Sequence, residues 1–551
     1  MVETLNLLRI RCAIAAPWLV AILLPILLYS SSLSFGFVYD DAELIVHKLP
    51  LQSPAHWLAL FKSPYFEGLP YYRPIPAFLF ALERVFFGLT PSLYHLTNLC
   101  IVSLLCSALF SLFSRPFFEY SRLQALSLAL LAVFHPITSS TVYLLSGREA
   151  LLAAFFTIVI FDRMLAKNGR FGIVAAVALV LALLSRESSV FLIPVLFIFL
   201  SVMFIRLPSR RIVRDFGLLF LSSLTYSVLR WHALSDQVLP AQRNLDLMLV
   251  PASYLYAFAK IFFPTSFLQY EPDLMEWFAS GVLFAVLTAV CGVLMLFQKM
   301  NAYRGYLIPA MLTVLLLSLL PTANIFIQET PFDERHLMTA LLAATSLFGW
   351  SVIRMAERFS ISANYILLPV IFVLAVFSTR RGAPFASDDA FLQRWVESAP
   401  TQAKVVCFQA LQALLNEDYD TALKFADSSI RLRENNLALL YRARINLKLT
   451  NLEAARSDLI RSAEMGPGNS DVLCEQALLA DQTSNDNNLA NSLFLEIEKR
   501  DPNIWCLSGR VPQGVRAFWG EGESFSREQL LNLPLTSREQ LRRYQEVRLN
   551  K

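Results

Sequence analysis

Apolar runs of about 15 to 22 residues recur along the first two thirds of the chain, near 12–33, 94–114, 123–143, 149–165, 171–185, 188–205, 215–232, 279–297, 305–320, 337–353 and 364–379. Each has roughly the length a tilted membrane helix needs to cross about 30 Å of hydrocarbon. The pattern predicts an all-α polytopic membrane bundle of about eleven spans. The first, from Cys12 to about Leu33, is longer than the apolar core of a signal peptide and reads as a retained span.

One further apolar segment, 251–268, resists this scheme, because counting it would move Lys299 and Arg304 to the acidic side of the membrane. It is expected as a re-entrant or interfacial helix with Lys260 snorkelling. The connection 34–93 should carry two more non-spanning helices. In SPAHWLALFK, Ser53 can cap, Pro54 takes the first helical position, and Trp57, Leu58 and Phe61 share a face. In PIPAFLFALERVFFGL, Glu83 and Arg84 interrupt an apolar run and favour the interface.

Composition agrees: 56% of the 551 residues are hydrophobic, only 16% are charged, and mean hydropathy is +0.50, so lipid must be the solvent for much of the chain. With a cytoplasmic N-terminus, Arg115, Arg122, Lys167, Arg170, Arg206, Arg210, Arg211, Arg214, Lys299, Arg304, Arg354 and Arg358 fall in cytoplasmic connections. The acidic connections lie opposite, as the positive-inside rule requires, and an odd span count carries the C-terminus across. The net charge of +4 is scattered, which excludes a nucleic-acid-binding face. Seven cysteines occur singly, without the spacing of a zinc or redox motif; pairing among Cys407, Cys474 and Cys506 is open.

After Arg380 and Arg381 the composition turns to charged, Ala- and Leu-rich helix formers, dividing a membrane domain (1–380) from a linker (381–400) and a soluble domain (401–551). Segments 419–436 and 452–469 align at a spacing of 33, with Ala422 and Ala455 at a close-packing position. This period resembles tetratricopeptide repeats, and the last helix, with Ser537 and Gln540 as a capping box, is expected as a solvating cap.

Chemistry-bearing residues gather on the face opposite the basic loops. FVYDDAELIV places Asp40 and Asp41 directly after the first span; YRPIPAF, YHLTNL, SGRE, SRES and DERHLM add Arg73, His95, Asn98, Arg148, Arg186, Glu187, Glu334, Arg335 and His336. An isolated Asp pair is more often a solvated loop end, and an Arg beside an apolar span more often snorkels.

The segments FVYDDAELIV, LFKSPYF, YRPIPAFLFAL, YHLTNL, HPITSSTVYLLSGREALLAAFF, SRESSVFLIP and PTANIFIQETPFDERHLM occur in that order ahead of the repeats. In this the chain resembles the GT-C membrane glycosyltransferases, and among them the transmembrane-and-tetratricopeptide O-mannosyltransferases. It departs in its short repeat array, in His336, and in Arg186-Glu187 where Lys-Glu is usual. The resemblance implies an inverting transfer from a polyprenyl-phosphate-linked sugar to an extracytoplasmic protein acceptor, in or beside membrane lipid. It implies Asp40 or Asp41 as base, equally favoured, and Arg335, Arg148, Arg73 and Arg186, in that order, on the donor phosphate. Glu334 and Glu187 would orient these arginines; His95, Asn98 and His336 would support the site. Asp40 and Asp41 could hold Mg²⁺ or Mn²⁺, but no third ligand is evident nearby. The short array and compact loops point to a bacterial inner membrane, with the repeats in the periplasm. A glycan or lipid acceptor, or a non-catalytic scaffold assembling an envelope complex, remain as alternative readings.

Overall fold

The structure is a computed structural model that describes residues 2–46, 54–66, 70–166, 170–206, 210–235, 257, 260–262, 334–466, 469–483, 487–500, 506 and 534–549. All regular elements among these are helical. Up to Arg380 the described helices are α1 (Val2–Tyr29), α2 (Pro74–Phe87), α3 (Pro91–Phe113), α4 (Arg122–Val133), α5 (Pro136–Tyr143), α6 (Arg148–Ala166), α7 (Ile173–Ser185), α8 (Leu192–Arg206), α9 (Arg210–Leu234), α10 (Met338–Arg358) and α11 (Asn364–Arg380).

Five described helices are long and apolar enough to cross a membrane: Ala15–Ser34, Pro91–Phe113, Ile212–Leu234, Glu334–Arg358 and Asn364–Phe385. The expected span 123–143 is two helices, α4 and α5, bent by 59°. Pro136 opens α5, and the His135 side chain caps it by accepting from the Ile137 N–H at 3.2 Å. Every residue of α5 is buried, so this half turns into protein rather than lipid. The expected spans at 149–165, 171–185 and 188–205 are helices too, but α6 carries Arg148, Glu149, Asp162 and Arg163, and α7 and the helix after it are short. Those at 279–297 and 305–320, and most of 251–268, lie outside the described residues. Lys260 is described, and it is buried rather than snorkelling.

Other local expectations change. Residues Pro54–Phe61 form a 3-10 helix in which Leu58 is 77% exposed, while Trp57 and Phe61 pack on Phe78 of α2. Glu83 of α2 is buried, not interfacial. Large apolar side chains stay outward on the bundle, among them Phe220, Trp231, Tyr365 and Phe372, as a lipid solvent allows.

Beyond Arg381 come α12 (Asp388–Ser398), α13 (Ala403–Leu415), α14 (Tyr419–Leu432), α15 (Asn436–Lys448), α16 (Leu452–Met465), α17 (Ser470–Thr483), α18 (Asn487–Arg500) and α19 (Leu535–Leu549). The pair α13–α14 recurs 33 positions on as α15–α16. Ala422 and Ala455 are fully buried, and their helices are tied alike, Ser429 Oγ donating to the Ala403 carbonyl at 2.7 Å and Ser462 Oγ to the Asn436 carbonyl at 2.8 Å. Ser537 and Gln540 make no capping box, because α19 starts at Leu535 and Ser537 is buried within its first turn. Gln540 instead donates to Asp471, and Arg543 to Glu475, so α19 packs back on α17.

Cys474 and Cys506 form a disulfide, leaving Cys407 free and buried. The two bonded cysteines lie 32 positions apart, and closing such a loop restricts the unfolded chain by on the order of 3 kcal/mol. Thermal unfolding in detergent with and without reductant should therefore show a lower-melting C-terminal region after reduction, and the Cys474→Ser, Cys506→Ser double variant should melt low under both conditions.

Candidate active site

The clustered side chains lie where α3, α6 and α10 begin and where α5, α7 and α9 end. The segment after α1 is drawn inward: Phe37 and Val38 are buried, and Gly36 donates its N–H to the Ala386 carbonyl at 3.0 Å. Tyr39 then adopts φ +52°, a left-handed conformation that costs a bulky residue about 1–2 kcal/mol. The turn separates the two aspartates. Asp41 folds back, its Oδ2 accepting from the Val38 N–H at 2.9 Å and its Oδ1 from the Ser146 N–H at 3.2 Å, and it is fully buried. Asp40 stays partly open and meets Arg335, whose Nη1 lies 2.9 Å from Asp40 Oδ2 and donates to Ser146 Oγ, also at 2.9 Å.

Ser146 sits in the turn Leu145–Gly147 between α5 and α6. A Cβ on Gly147 would lie 2.3 Å from the Thr141 carbonyl oxygen, so only glycine lets this turn close on α5. Arg335 lies in the short 3-10 turn Glu334–Leu337 that opens α10.

A second charged group adjoins the first. Glu149 Oε1 faces Arg73 Nη1 at 3.0 Å and Arg186 Nη1 at 3.7 Å. Arg73 Nε donates to Glu187 Oε2 at 2.7 Å, and Glu187 Oε1 accepts from the Tyr72 N–H. Burial works against the Arg73 charge, but Glu149 and Glu187 outweigh it and hold the guanidinium protonated above its usual range. Arg186 also donates to the Arg335 carbonyl at 3.0 Å, linking the two groups. Tyr65 lies under the guanidinium of Arg73, and its hydroxyl feels the charges of Glu149, Arg73, Arg148 and Arg335.

The remaining expected residues take other parts. Arg148 is fully buried and its donors are committed: Nη1 and Nη2 to Glu83, Nε to Asn98 Oδ1 at 2.8 Å, Nη2 to the Tyr94 carbonyl at 2.9 Å. That geometry is structural and leaves no fork for a phosphate. Asn98 serves the same knot, donating to the carbonyls of Val142 and Leu144. His95 is buried, with Nε2 3.4 Å from the Gly36 carbonyl oxygen. Glu334 does not orient Arg335; it pairs with Arg381 at 2.8 Å and accepts from Ser140 Oγ at 2.9 Å. Glu187 does hold an arginine, Arg73 rather than its neighbour Arg186. His336 occupies the same turn as Arg335 and is half-buried.

For a divalent metal the aspartates fit poorly. Both Asp41 oxygens already accept backbone N–H groups, Asp40 faces a cation, and among the described residues no three His, Cys, Asp or Glu side chains form a metal-binding group. Residues not expected from the sequence are Ser146, Glu149, Glu83 and Arg381. Ser146 and Glu149 flank Arg148 in SGRE, but nothing in one sequence tells which of these side chains turn inward together.

Over 141 residues the chain is 30% identical to protein O-mannosyl-transferase TMTC3 of Mus musculus and of Homo sapiens, a stretch covering 24% of this chain and 15% of each relative. This chain is similar to protein O-mannosyl-transferases. A third such protein, protein O-mannosyl-transferase F38B6.6 of Caenorhabditis elegans, is 25% identical over 186 residues, 32% of this chain and 27% of that one. The matches thus span less than a third of these relatives. No protein-family model matches the chain, and no solved structure does.

Burial raises the Asp41 carboxyl to about 8, with smaller upward pushes from Asp40 and Asp388, against the backbone N–H bonds that lower it. Because it binds its proton more tightly folded than unfolded, its contribution to stability is complete below about pH 4 and is lost as pH rises through about 8. Melting temperatures in detergent from pH 5 to 9 should fall with a shallower slope in Asp41→Asn than in the wild type, whatever the offset caused by turning an amide NH₂ toward one backbone N–H. Equal slopes would mean that Asp41 does not titrate in this window.

Proposed function

We propose that this protein is an inverting glycosyltransferase of GT-C type that moves a sugar, mannose by analogy with its relatives, from a polyprenyl-phosphate carrier to a hydroxyl of an extracytoplasmic protein. The observation that carries the reading is the 2.9 Å pairing of Asp40 with Arg335, an acid and a cation brought together from 295 positions apart beside the Ser146 hydroxyl. Similarity to protein O-mannosyl-transferases supports the reaction class.

In this reading the acceptor oxygen attacks the anomeric carbon from the face opposite the phosphate, and the bond from that carbon to the phosphate oxygen breaks. Asp40 takes the acceptor proton, and the departing phosphate carries its extra charge beside Arg335. A single displacement inverts the anomeric centre; the two adjacent aspartates are not placed on opposite sides of a sugar as a double displacement requires. Asp41, buried and raised toward neutrality, serves as a scaffold of the turn, which separates two residues that the sequence leaves equal. Arg73 and Arg186, held by Glu149 and Glu187, supply further positive potential next to Arg335. Before donor binds, Arg335 rests on Asp40; a phosphate drawing that guanidinium toward itself would release the carboxylate as base.

The full arrangement we infer has about eleven spans, a cytoplasmic N-terminus, and a tetratricopeptide-like array, residues 401–551, in the periplasm of a bacterium. The 33-residue recurrence of helix pairs supports the repeat reading, and a disulfide between Cys474 and Cys506 suits an oxidising compartment. Such an array next to the site suits docking of a polypeptide.

Mass spectrometry of envelope proteins from cells carrying Asp40→Asn as the sole copy tests the reading. Loss of the base should reduce glycan transfer by about 10²- to 10⁴-fold while the protein remains membrane-inserted and folded. Full modification in that strain overturns Asp40 as the base, and an unchanged glycan inventory in a deletion strain overturns the activity. Arg335→Lys should retain part of the activity, since the charge survives without the planar fork.

A further inference from the structure

We propose that the C-terminal helical region is a working part of the acidic site, and that Asp388 is its positioning residue: it clamps the left-handed Tyr39 and so aims the adjacent Asp40 at Arg335. The inference rests on the reading of Asp40 as base and adds a second task to the region otherwise assigned to acceptor docking.

Tyr39 stands immediately before Asp40, and a tyrosine does not hold φ +52° without restraint. Restraint comes from beyond the last membrane helix. Asp388, the first residue of α12, is buried, and its two carboxylate oxygens accept from two backbone N–H groups, Oδ1 from Tyr39 and Oδ2 from Leu535, each at 2.7 Å. One side chain thus joins the catalytic turn to the N-terminus of α19. The Tyr39 ring is enclosed by the same region. It stacks on Phe391 with centroids 5.5 Å apart, meets Trp395 edge-on at 5.4 Å, and lies under the Lys404 ammonium at 5.2 Å. Trp395 is itself fixed, fully buried and donating from Nε1 to Gln402 at 2.8 Å.

These contacts fix backbone direction at the residue before the acid. From there, the Asp40 carboxylate reaches Arg335 and the Asp41 carboxylate accepts from the Ser146 N–H, the two meeting around Ser146, whose Oγ accepts from Arg335. A rotation at Tyr39 would move both. Asparagine at 388 would keep one acceptor oxygen and turn an NH₂ group toward the other backbone N–H, so Asp388→Asn breaks the bridge with little change of volume. Phe391→Leu keeps an apolar group in the pocket and removes the stacked ring.

The full-length protein in detergent or nanodiscs permits two readouts. The first is amide hydrogen exchange over 37–46, which needs no substrate. It should quicken at least tenfold in Asp388→Asn and more modestly in Phe391→Leu, with α3 and α6 unchanged; unaltered exchange in both overturns the clamp. The second is transfer from polyprenyl-phosphate mannose to a Ser/Thr-rich peptide. Positioning predicts a kcat lowered about tenfold with the peptide KM within twofold, whereas a docking role alone predicts a raised KM at unchanged kcat and overturns the inference. If Asp388→Asn does not fold, Phe391→Leu decides by the same criteria. Asp40→Asn run alongside separates the two readings: if it transfers normally, the base assignment fails, and exchange alone judges the clamp; if it is dead while Asp388→Asn keeps its kcat, only positioning fails.

Discussion

A guanidinium deprived of water needs an acceptor at each of its nitrogens, and buried Arg148 has one at all three. It is fully buried at the first residue of α6, over the ring of Phe80, and its bonds reach Glu83 on α2 and both the Asn98 side chain and the Tyr94 carbonyl on α3. Removing one member of such a set strands a charge in a medium of low dielectric constant, which is far costlier than the set's net contribution to stability. Three helices are thereby held in register at the end of the bundle where the reactive side chains collect. Asn98 extends the knot to the carbonyls of Val142 and Leu144 at the end of α5, and the next turn supplies Ser146 to Asp41 and Arg335. At the opposite end of α3 and α6, Arg115 and Asp162 pair through two bonds of 2.8 Å, so these helices are tied at both ends.

The electrostatics of the site follow from how its anions are shared. Glu149 faces two arginines with one oxygen, and Glu187 holds Arg73 while lying 3.9 Å from Arg230. The Tyr65 hydroxyl feels three guanidiniums, Arg73, Arg148 and Arg335, and one carboxylate, Glu149, and Asp41 adds little negative charge at neutral pH because burial favours its proton. In the proposed reaction, positive potential in a partly dry site would favour the anionic phosphate of the donor.

Much of this was legible in the sequence. Apolar runs match helices wherever those residues are described, five of them long and apolar enough to cross a membrane, the 33-residue period matches the paired helices, and the charged segments at the ends of those runs do converge. What stayed hidden is which polar groups turn toward protein. Arg148 and Arg335 read alike, as single cations beside apolar helices, yet one is locked by Glu83 and the other faces an acid at the site. Glu83 looked like an interfacial charge because its partner lies 65 positions away. Pro136 marks the bend in the sequence, since its ring does not fit a helix interior, but hydropathy does not tell one kinked span from two helices. Asp40 and Asp41 are adjacent and chemically identical; what separates them is their partners, backbone N–H groups for buried Asp41 and Arg335 for Asp40, and no spacing rule encodes that.

The return of α19 has a consequence for how this architecture can vary. Paired-helix arrays usually grow or shrink by whole pairs, since each pair touches only its neighbours. Here Arg538 reaches Asp389, Arg542 reaches the carbonyls of Leu414 and Leu415, Arg543 reaches Glu475, and the backbone of Leu535 reaches Asp388. The last helix thus closes the array back on its first. A chain bound at both ends has a set circumference: an inserted pair would lift α19 off Asp388 and unlatch the turn that carries Asp40. Substitutions on the outer faces of the existing helices leave this clasp intact, whereas a change in their number does not.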